Sequence, residues 1–301
     1  MIDAESHPGE MNPAAAADFC GVRVRRFDYD RYLAALFAPD SHRPALMALY
    51  AFNIEIAKIR ESVSEPTLGR IRLQWWLETI EGLYGGRPRH HEVALALGDA
   101  VSRYGLDRSR FERLIEGRAF DLEDAPPESL AALEAYAGAT SGALTQLALQ
   151  VLGADTTEGS DSSDGNAAMQ AGHHGGIAWA LCGLVRAVPF HAGQRRSFLP
   201  ADLMAAVGVT PGKLFEARTG TALASVVREV AGRAEFHLGQ ARQLRGAIPR
   251  HAVAAMLPLA LADGDLRRLA KADYDVFALP SRDNRLMRQA RIAMAALRKK
   301  Y

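Results

Sequence analysis

From Asp28 onward, apolar residues recur at three- and four-residue steps, the spacing that places them on one face of a helix. Between Arg43 and Ser62, the residues Leu46, Leu49, Tyr50, Asn53, Ile54 and Ala57 fall on one stripe. A second helix is predicted from Pro66, with Ser64 as its cap, to about Leu83. It carries Ile71, Trp75, Trp76, Thr79 and Ile80, and Tyr84-Gly85-Gly86 followed by Pro88 ends it. Shorter helices are predicted over Glu92–Tyr104 and Asp107–Ala119, and Pro126-Pro127 opens another that runs to about Leu152. Ala167–Val188 is apolar and Gly-rich, which reads as a buried helix with close neighbours. Pro189 and Pro200 bracket an irregular stretch. Thr219–Arg245, Pro249–Leu261 and Arg282–Lys299 complete the set. No segment shows a strand period, and no fixed-period repeat appears.

Two stretches fall outside this pattern. Residues 1–17 are expected to form a disordered leader. Residues 154–166, reading ADTTEGSDSSDGN, are polar and rich in Ser and Gly, so a flexible loop is expected there. Helical texture of the same kind continues on both sides of it. The prediction is therefore one all-α domain over residues 18–301 with ten or more helices.

Composition strengthens the helical reading and removes several functions. Of 301 residues, 49% are hydrophobic, enough for a substantial core, and Ala, Leu and Arg are strong helix formers. With 36 basic against 35 acidic residues, net charge is +1, so nothing global draws the chain to nucleic acid. The two cysteines, Cys20 and Cys182, stand far apart in no CxxC arrangement, which fits a reducing cytoplasm and gives no disulfide framework. No secretory signal is expected at residues 1–10, and no apolar run reaches the ~20 residues needed to span a bilayer. His90-His91 and His173-His174 are adjacent pairs rather than i,i+4 chelators, so no zinc site is expected. No P-loop, dinucleotide fingerprint or nucleophile elbow is present.

Three segments carry a resemblance. RPALMALYAFNIEIAKIRESV (Arg43–Val63) and GGIAWALCGLVRAVPFHAGQRRSFLP (Gly175–Pro200) resemble the two signature helices of squalene and phytoene synthases. YAGATSGAL (Tyr136–Leu144) resembles the small-residue helix between them. The resemblance implies the isoprenoid-synthase helical bundle as a single domain. It also implies a Mg²⁺-dependent head-to-head joining of prenyl diphosphates. That chemistry needs carboxylates three or four residues apart on two facing helices, because Mg²⁺ takes oxygen ligands and the departing pyrophosphate is highly charged.

Those carboxylates are missing. In the first signature the acidic positions are Ala57, Lys58 and Glu61; in the second they are Ala187, Phe190 and His191. Arg186, Arg196, Phe198, Leu199 and Pro200 still match on both sides of the second gap, which fixes the register. One Glu beside a Lys does not make a Mg²⁺ cage, so no metal, cofactor or catalytic residue is expected. His191, standing where an acid should be, reads as an ordinary hydrogen-bonded histidine.

Within the superfamily, AFNIEIAKIRESVSEPTLGRIRLQWW (Ala51–Trp76), the second signature, YDVF (Tyr274–Phe277) and the final LRKKY resemble the branch that serves as a mitochondrial complex I assembly factor. This implies a non-catalytic role in building NADH:ubiquinone oxidoreductase, in a bacterial setting, with a complex I subunit or assembly intermediate as partner. The expected place is the cytoplasm or the inner face of the cell membrane. Two alternatives stand beside it: an active prenyltransferase that uses Glu61 and Mg²⁺, and a lipid- or isoprenoid-binding protein.

Candidate pocket or anion-binding residues are Tyr50, Asn53, Glu55, Arg60, Arg72, Gln74, Trp75, Arg186, Arg195 and Arg196. For the arginines, internal ion pairing with Glu55, Glu61 or Glu78 is the first expectation and an anion pocket the second. Adjacent Trp75 and Trp76 cannot share a helix face, so one could lie in the core and the other at a cavity wall or partner surface, but core packing of both is the first expectation. The basic segment Arg282–Tyr301 offers Leu286, Met287, Ala290, Met294 and Leu297 as apolar positions. Core packing with a solvated basic face is the first expectation there, and peripheral contact with anionic lipid or an acidic partner is the second.

Overall fold

In the computed structural model of the chain, which describes residues 12–155, 162–217, 220–279 and 285–301, α-helices carry nearly all the regular structure and no strand occurs among the described residues. The first helices are α1 (Pro13–Phe27), α2 (Tyr29–Ala35), α3 (Arg43–Ala57), α4 (Pro66–Tyr84), α5 (Glu92–Tyr104) and α6 (Arg108–Gly117). After a 3₁₀ turn at Arg118–Leu122 come α7 (Leu130–Ala137) and α8 (Ala143–Val151), separated by a π turn at Gly138–Gly142. The long central helix is α9 (Ser162–Arg186), followed by the short α10 (Val188–Gly193), α11 (Ala201–Ala206) and α12 (Pro211–Phe215). The chain closes with α13 (Gly220–Gln243), α14 (Pro258–Lys271) and α15 (Arg285–Arg298). No helix among the described residues is long and apolar enough to cross a membrane.

Local chemistry explains most boundaries. Pro lies in the first turn of α3, α4, α10, α12 and α14, where its missing N–H costs nothing. Asp107 caps α6 by accepting from the Ser109 N–H at 2.9 Å, and Ser129 caps α7 by accepting from the Ala132 N–H at 3.2 Å. Gly105 ends α5 in the left-handed region at φ 59°.

Several expected boundaries move. Glu65, not Ser64, is the N-cap residue of α4, and its side chain makes no cap bond. α3 stops at Ala57, and a 3₁₀ turn carries Arg60–Ser62. The helix expected from Pro126-Pro127 opens only at Leu130 and is divided by the π turn. Of the loop expected at 154–166, residues 156–161 lie outside the described residues and α9 already runs from Ser162. Of the leader expected at 1–17, residues 1–11 lie outside the described residues and Pro13–Ala17 belong to α1. α1 had no strong sequence signal because its buried stripe is small: Ala16, Cys20 and Val24. The helix expected at Pro249–Leu261 is a 3₁₀ turn at Val253–Met256 followed by α14.

α9 is the axis of the bundle, packing against α7, α8, α13 and α14 and against the π turn. Small residues let it approach so closely. A Cβ on Gly176 would strike the carbonyl of Ser141 and the backbone of Gly142, and His173 fills the space above Gly138 and Gly142. The YAGATSGAL and GGI runs are therefore two sides of one backbone contact. On the other flank, Phe52 of α3 meets Trp76 of α4 and Phe111 of α6 edge-on, at 5.2 and 5.6 Å between ring centres.

Candidate functional site

The two signature segments come together around the Arg118–Leu122 turn. Arg118 donates from Nη2 to the Asn53 Oδ1 of α3 at 3.2 Å, and from Nη1 to Asp121 at 3.1 Å and the Tyr136 hydroxyl at 2.9 Å. The Tyr136 hydroxyl in turn donates to Asp121 at 2.7 Å. From the second signature, Arg196 donates to the carbonyl oxygens of Asp121 at 2.7 Å and Glu123 at 3.2 Å. Asn53 and Asp121 are buried and hydrogen-bonded, and of the Arg118 nitrogens only the buried Nε is without a hydrogen-bond partner, so the network leaves few polar atoms for a ligand. Burial dominates the environment of Tyr136 and pushes its phenol well above the ordinary range, so it acts as a hydrogen-bonding group rather than an acid.

At the end of α3, where metal-binding acids would stand, the Lys58 ammonium lies 3.2 Å from the centre of the Phe27 ring of α1. Burial lowers the Lys58 pKa. Glu55 turns to α1 as well and pairs with Arg23 at 2.5 Å. Ala57 offers no ligand atom and Glu61 is exposed. At the end of α9, Phe190 is exposed, while the His191 ring sits 4.8 Å from the Phe198 ring with Nδ1 buried and unbonded. The ordinary hydrogen-bonded histidine expected at 191 is thus not found at Nδ1. Burial, and then the nearby Arg196, lower the His191 pKa. These six positions do not fit Mg²⁺: they supply one solvated carboxylate, one ammonium and one half-buried imidazole. Among the described residues no three His, Cys, Asp or Glu side chains gather to hold a metal ion.

The candidate arginines do not converge on a shared anion site, and their partners differ from those the sequence suggested. Arg60 pairs with Asp124 at 3.2 Å, and Arg72 donates to the Ser62 hydroxyl at 2.6 Å. Arg186 pairs with Asp265 at 3.1 Å, and Arg195 lies over the Phe215 ring in the left-handed region at φ 56°. Glu78, hydrogen-bonded by Gln74, pairs with Arg89, whose guanidinium covers Trp75. Trp76 is buried and Trp75 half-buried. Tyr50 is buried below Arg31, beside a cavity of only about 10 Å³ between α3 and α9.

One larger cleft, of about 510 Å³, opens beside the second signature. Arg186 and Phe190 line it, with apolar walls from Val185, Leu266, Leu269, Val276, Phe277 and Leu279. Its floor is an ion cluster absent from the sequence-based list. Arg288 of α15 takes both oxygens of Asp30 of α2 through Nε at 3.0 Å and Nη2 at 2.5 Å, and approaches Asp265 of α14 at 3.4 Å. Arg268 also meets Asp265, at 2.6 Å. A signal for Arg288 was available: it shares a face with Ile292 and Ala295, four and seven residues on, and all three are buried. Cys182 also lines the cleft, and burial raises its thiol pKa far above neutrality.

Within the adjacent histidine pairs, His91 and His174 meet different neighbours. His91 stacks edge-on against Trp75 and Trp76, and His174 shares a 2.8 Å Nδ1–Nδ1 hydrogen bond with His237. His237 is bonded through Nε2 to Glu134 at 2.7 Å.

Comparison with known proteins agrees with this geometry. The family model for squalene/phytoene synthase matches residues 24–294. The chain is 31% identical over 283 residues to NADH dehydrogenase (ubiquinone) complex I, assembly factor 6 of Mus musculus, covering 94% of this chain and 82% of the relative. To the Bos taurus protein of the same name it is 33% identical over 86% of this chain and 75% of the relative. To the presqualene diphosphate synthase of Rhodopseudomonas palustris it is 28% identical over 74% of this chain and 77% of that enzyme. Among solved structures, a dehydrosqualene synthase in complex with ligand superposes with a TM-score of 0.81 at 18% identity, covering 96% of this chain and 98% of that one. Signature order, helical architecture and near full-length similarity converge, and the chain belongs to the squalene/phytoene synthase family.

Proposed function

We propose that this protein acts in the assembly of NADH:ubiquinone oxidoreductase and does so without turning over a prenyl diphosphate. One observation carries the reading. Similarity to complex I assembly factor 6 runs over 94% of the chain, while the six positions that would hold Mg²⁺ keep only Glu61 as an acid. A family enzyme must neutralise a departing pyrophosphate. Here the helix ends hold an ammonium against Phe27, and the flanking arginines are bound to Asp124, Asp265 and backbone carbonyls. Binding a partner protein asks only for the inherited helical frame. Deleting the gene is expected to lower NADH:ubiquinone oxidoreductase activity in membranes and leave carotenoids and hopanoids unchanged. Normal complex I with altered polyprenoids would reverse the assignment.

A second reading, as a lipid- or isoprenoid-binding protein, rests on the 510 Å³ cleft and its apolar walls. Organic extraction of the natively purified protein, followed by mass spectrometry, tests it. A stoichiometric lipid that disappears in Leu266→Trp supports this reading, and an empty extract removes it.

A further inference from the structure

The last helix turns an unexpected face to solvent. Arg288, Ile292 and Ala295 are its buried residues, whereas Met287, Met294 and Leu297 are exposed at 57%, 47% and 78%. Positions 287, 290, 294 and 297 follow three- and four-residue steps and so form one stripe on α15. Exposed apolar residues that lie together with a polar rim, unlike single scattered ones, mark contact surfaces.

Here the neighbour is a groove of about 650 Å³ between α14 and α15. Seven Arg or Lys residues line it against one acid, Asp263. Asp263 is already engaged by Arg242 at 3.1 Å and Arg267 at 2.5 Å. Lys271, Arg291, Arg298 and Lys300 have no acidic partner among the described residues. Around the signature segments, by contrast, Arg60, Arg118, Arg186 and Arg196 each meet an acid or a backbone carbonyl.

The groove has a shaped floor. Gly264 lies within α14, where a glycine costs about 1 kcal/mol relative to alanine. A Cβ there would occupy the place of the Arg291 guanidinium, which comes close against Gly264 of α14. The half-buried guanidinium is thus held inside the groove rather than extended into water.

We propose that the α14–α15 groove docks an acidic, amphipathic segment of a partner protein. Its carboxylates meet Lys271, Arg291, Arg298 and Lys300, and its apolar residues cover Met287, Met294 and Leu297. Depth favours a protein segment over a bilayer, because a flat surface cannot reach a guanidinium seated on a helix backbone. The two methionines suit a packed helix face that adapts to its partner. This deepens the assembly reading and rests on it for the partner's origin, though not for its chemistry.

The test places a photo-crosslinking amino acid at Met294 of the full chain in its native cells, maps the crosslinked peptide, and synthesises that segment as the probe. The expected peptide carries net negative charge, binds the purified chain more weakly as salt rises, and loses about tenfold or more in affinity to the variant R298E/K300E. Both substituted residues are exposed, and an unchanged thermal melt confirms folding. A second variant, Gly264→Ala, displaces Arg291 and is expected to weaken the same peptide. The proposal is overturned by a neutral or basic peptide, by affinity unchanged in both variants, or by crosslinks to lipid alone. Binding to phosphatidylglycerol vesicles that R298E/K300E abolishes, with no peptide binding, assigns the face to membrane and likewise overturns it. If R298E/K300E restores complex I to a deletion strain as well as wild type does, the groove proposal fails and the assembly reading stands. If deletion leaves complex I normal, the assembly reading fails and the peptide titration still judges the groove.

Discussion

Two arginine-rich regions of this molecule have opposite characters. Around the signature helices, Arg60, Arg118, Arg186 and Arg196 are each tied to an acid or a carbonyl, and the polar interior is closed by Asn53, Asp121 and Tyr136. Between α14 and α15, four cations have no acidic partner among the described residues and lie beside an exposed apolar stripe. The difference teaches that arginine count says little about an anion site. What matters is whether the fold supplies an internal counter-charge.

The contrast can be broken most forcefully at its closed end. Replacing Arg118 with Ala strands buried Asp121 and removes a bond from both Asn53 and Tyr136. A loss of about 3–5 kcal/mol in denaturant-unfolding stability is expected, and a loss below 1 kcal/mol would mean the network is not closed as described. Next in size is Gly176→Ala, whose Cβ meets the Ser141–Gly142 backbone rather than a movable side chain. It should cost about 1–3 kcal/mol by overpacking. The matching change at the open end, Gly264→Ala, pushes only against the mobile end of Arg291, so stability should hold or rise by up to about 1 kcal/mol. Equal costs for the two substitutions would erase the distinction between the regions.

A smaller effect concerns pH. Burial, and then the nearby Arg196, lower the folded pKa of His191 below its unfolded value. Below an unfolded pKa of about 6.5 the unfolded chain binds the extra proton, and stability falls with pH. His191→Phe should keep the packing on Phe198 and reduce the drop in Tm between pH 7 and pH 5.5. An unchanged drop would place that proton uptake at another group.

Much of this was legible in the sequence because helix faces and signature residues are local. The three- and four-residue steps from Leu46 to Ala57 mark α3, the apolar Gly-rich run marks α9, and the absence of acids at 57, 58, 187, 190 and 191 is a matter of identity alone. The closed network was not legible, since Arg118 finds Asn53 65 residues away and no spacing rule links them. α15 shows the limit most clearly. Its leucines and methionines suggested the core face, yet Arg288 takes that face because Asp30, 258 residues distant, provides its carboxylate. Long-range charge pairing overrode the hydrophobic pattern. α1 was illegible for the opposite reason: its buried face is made of small residues that carry little hydrophobic signal.

The central claim is that an inherited synthase frame now works by binding. Its most direct test is pyrophosphate release by the purified full chain given farnesyl or geranylgeranyl diphosphate and Mg²⁺. The account predicts no release above the protein-free blank. Mg²⁺-dependent release that disappears in Glu61→Ala would contradict it and return the protein to the enzymes of its family.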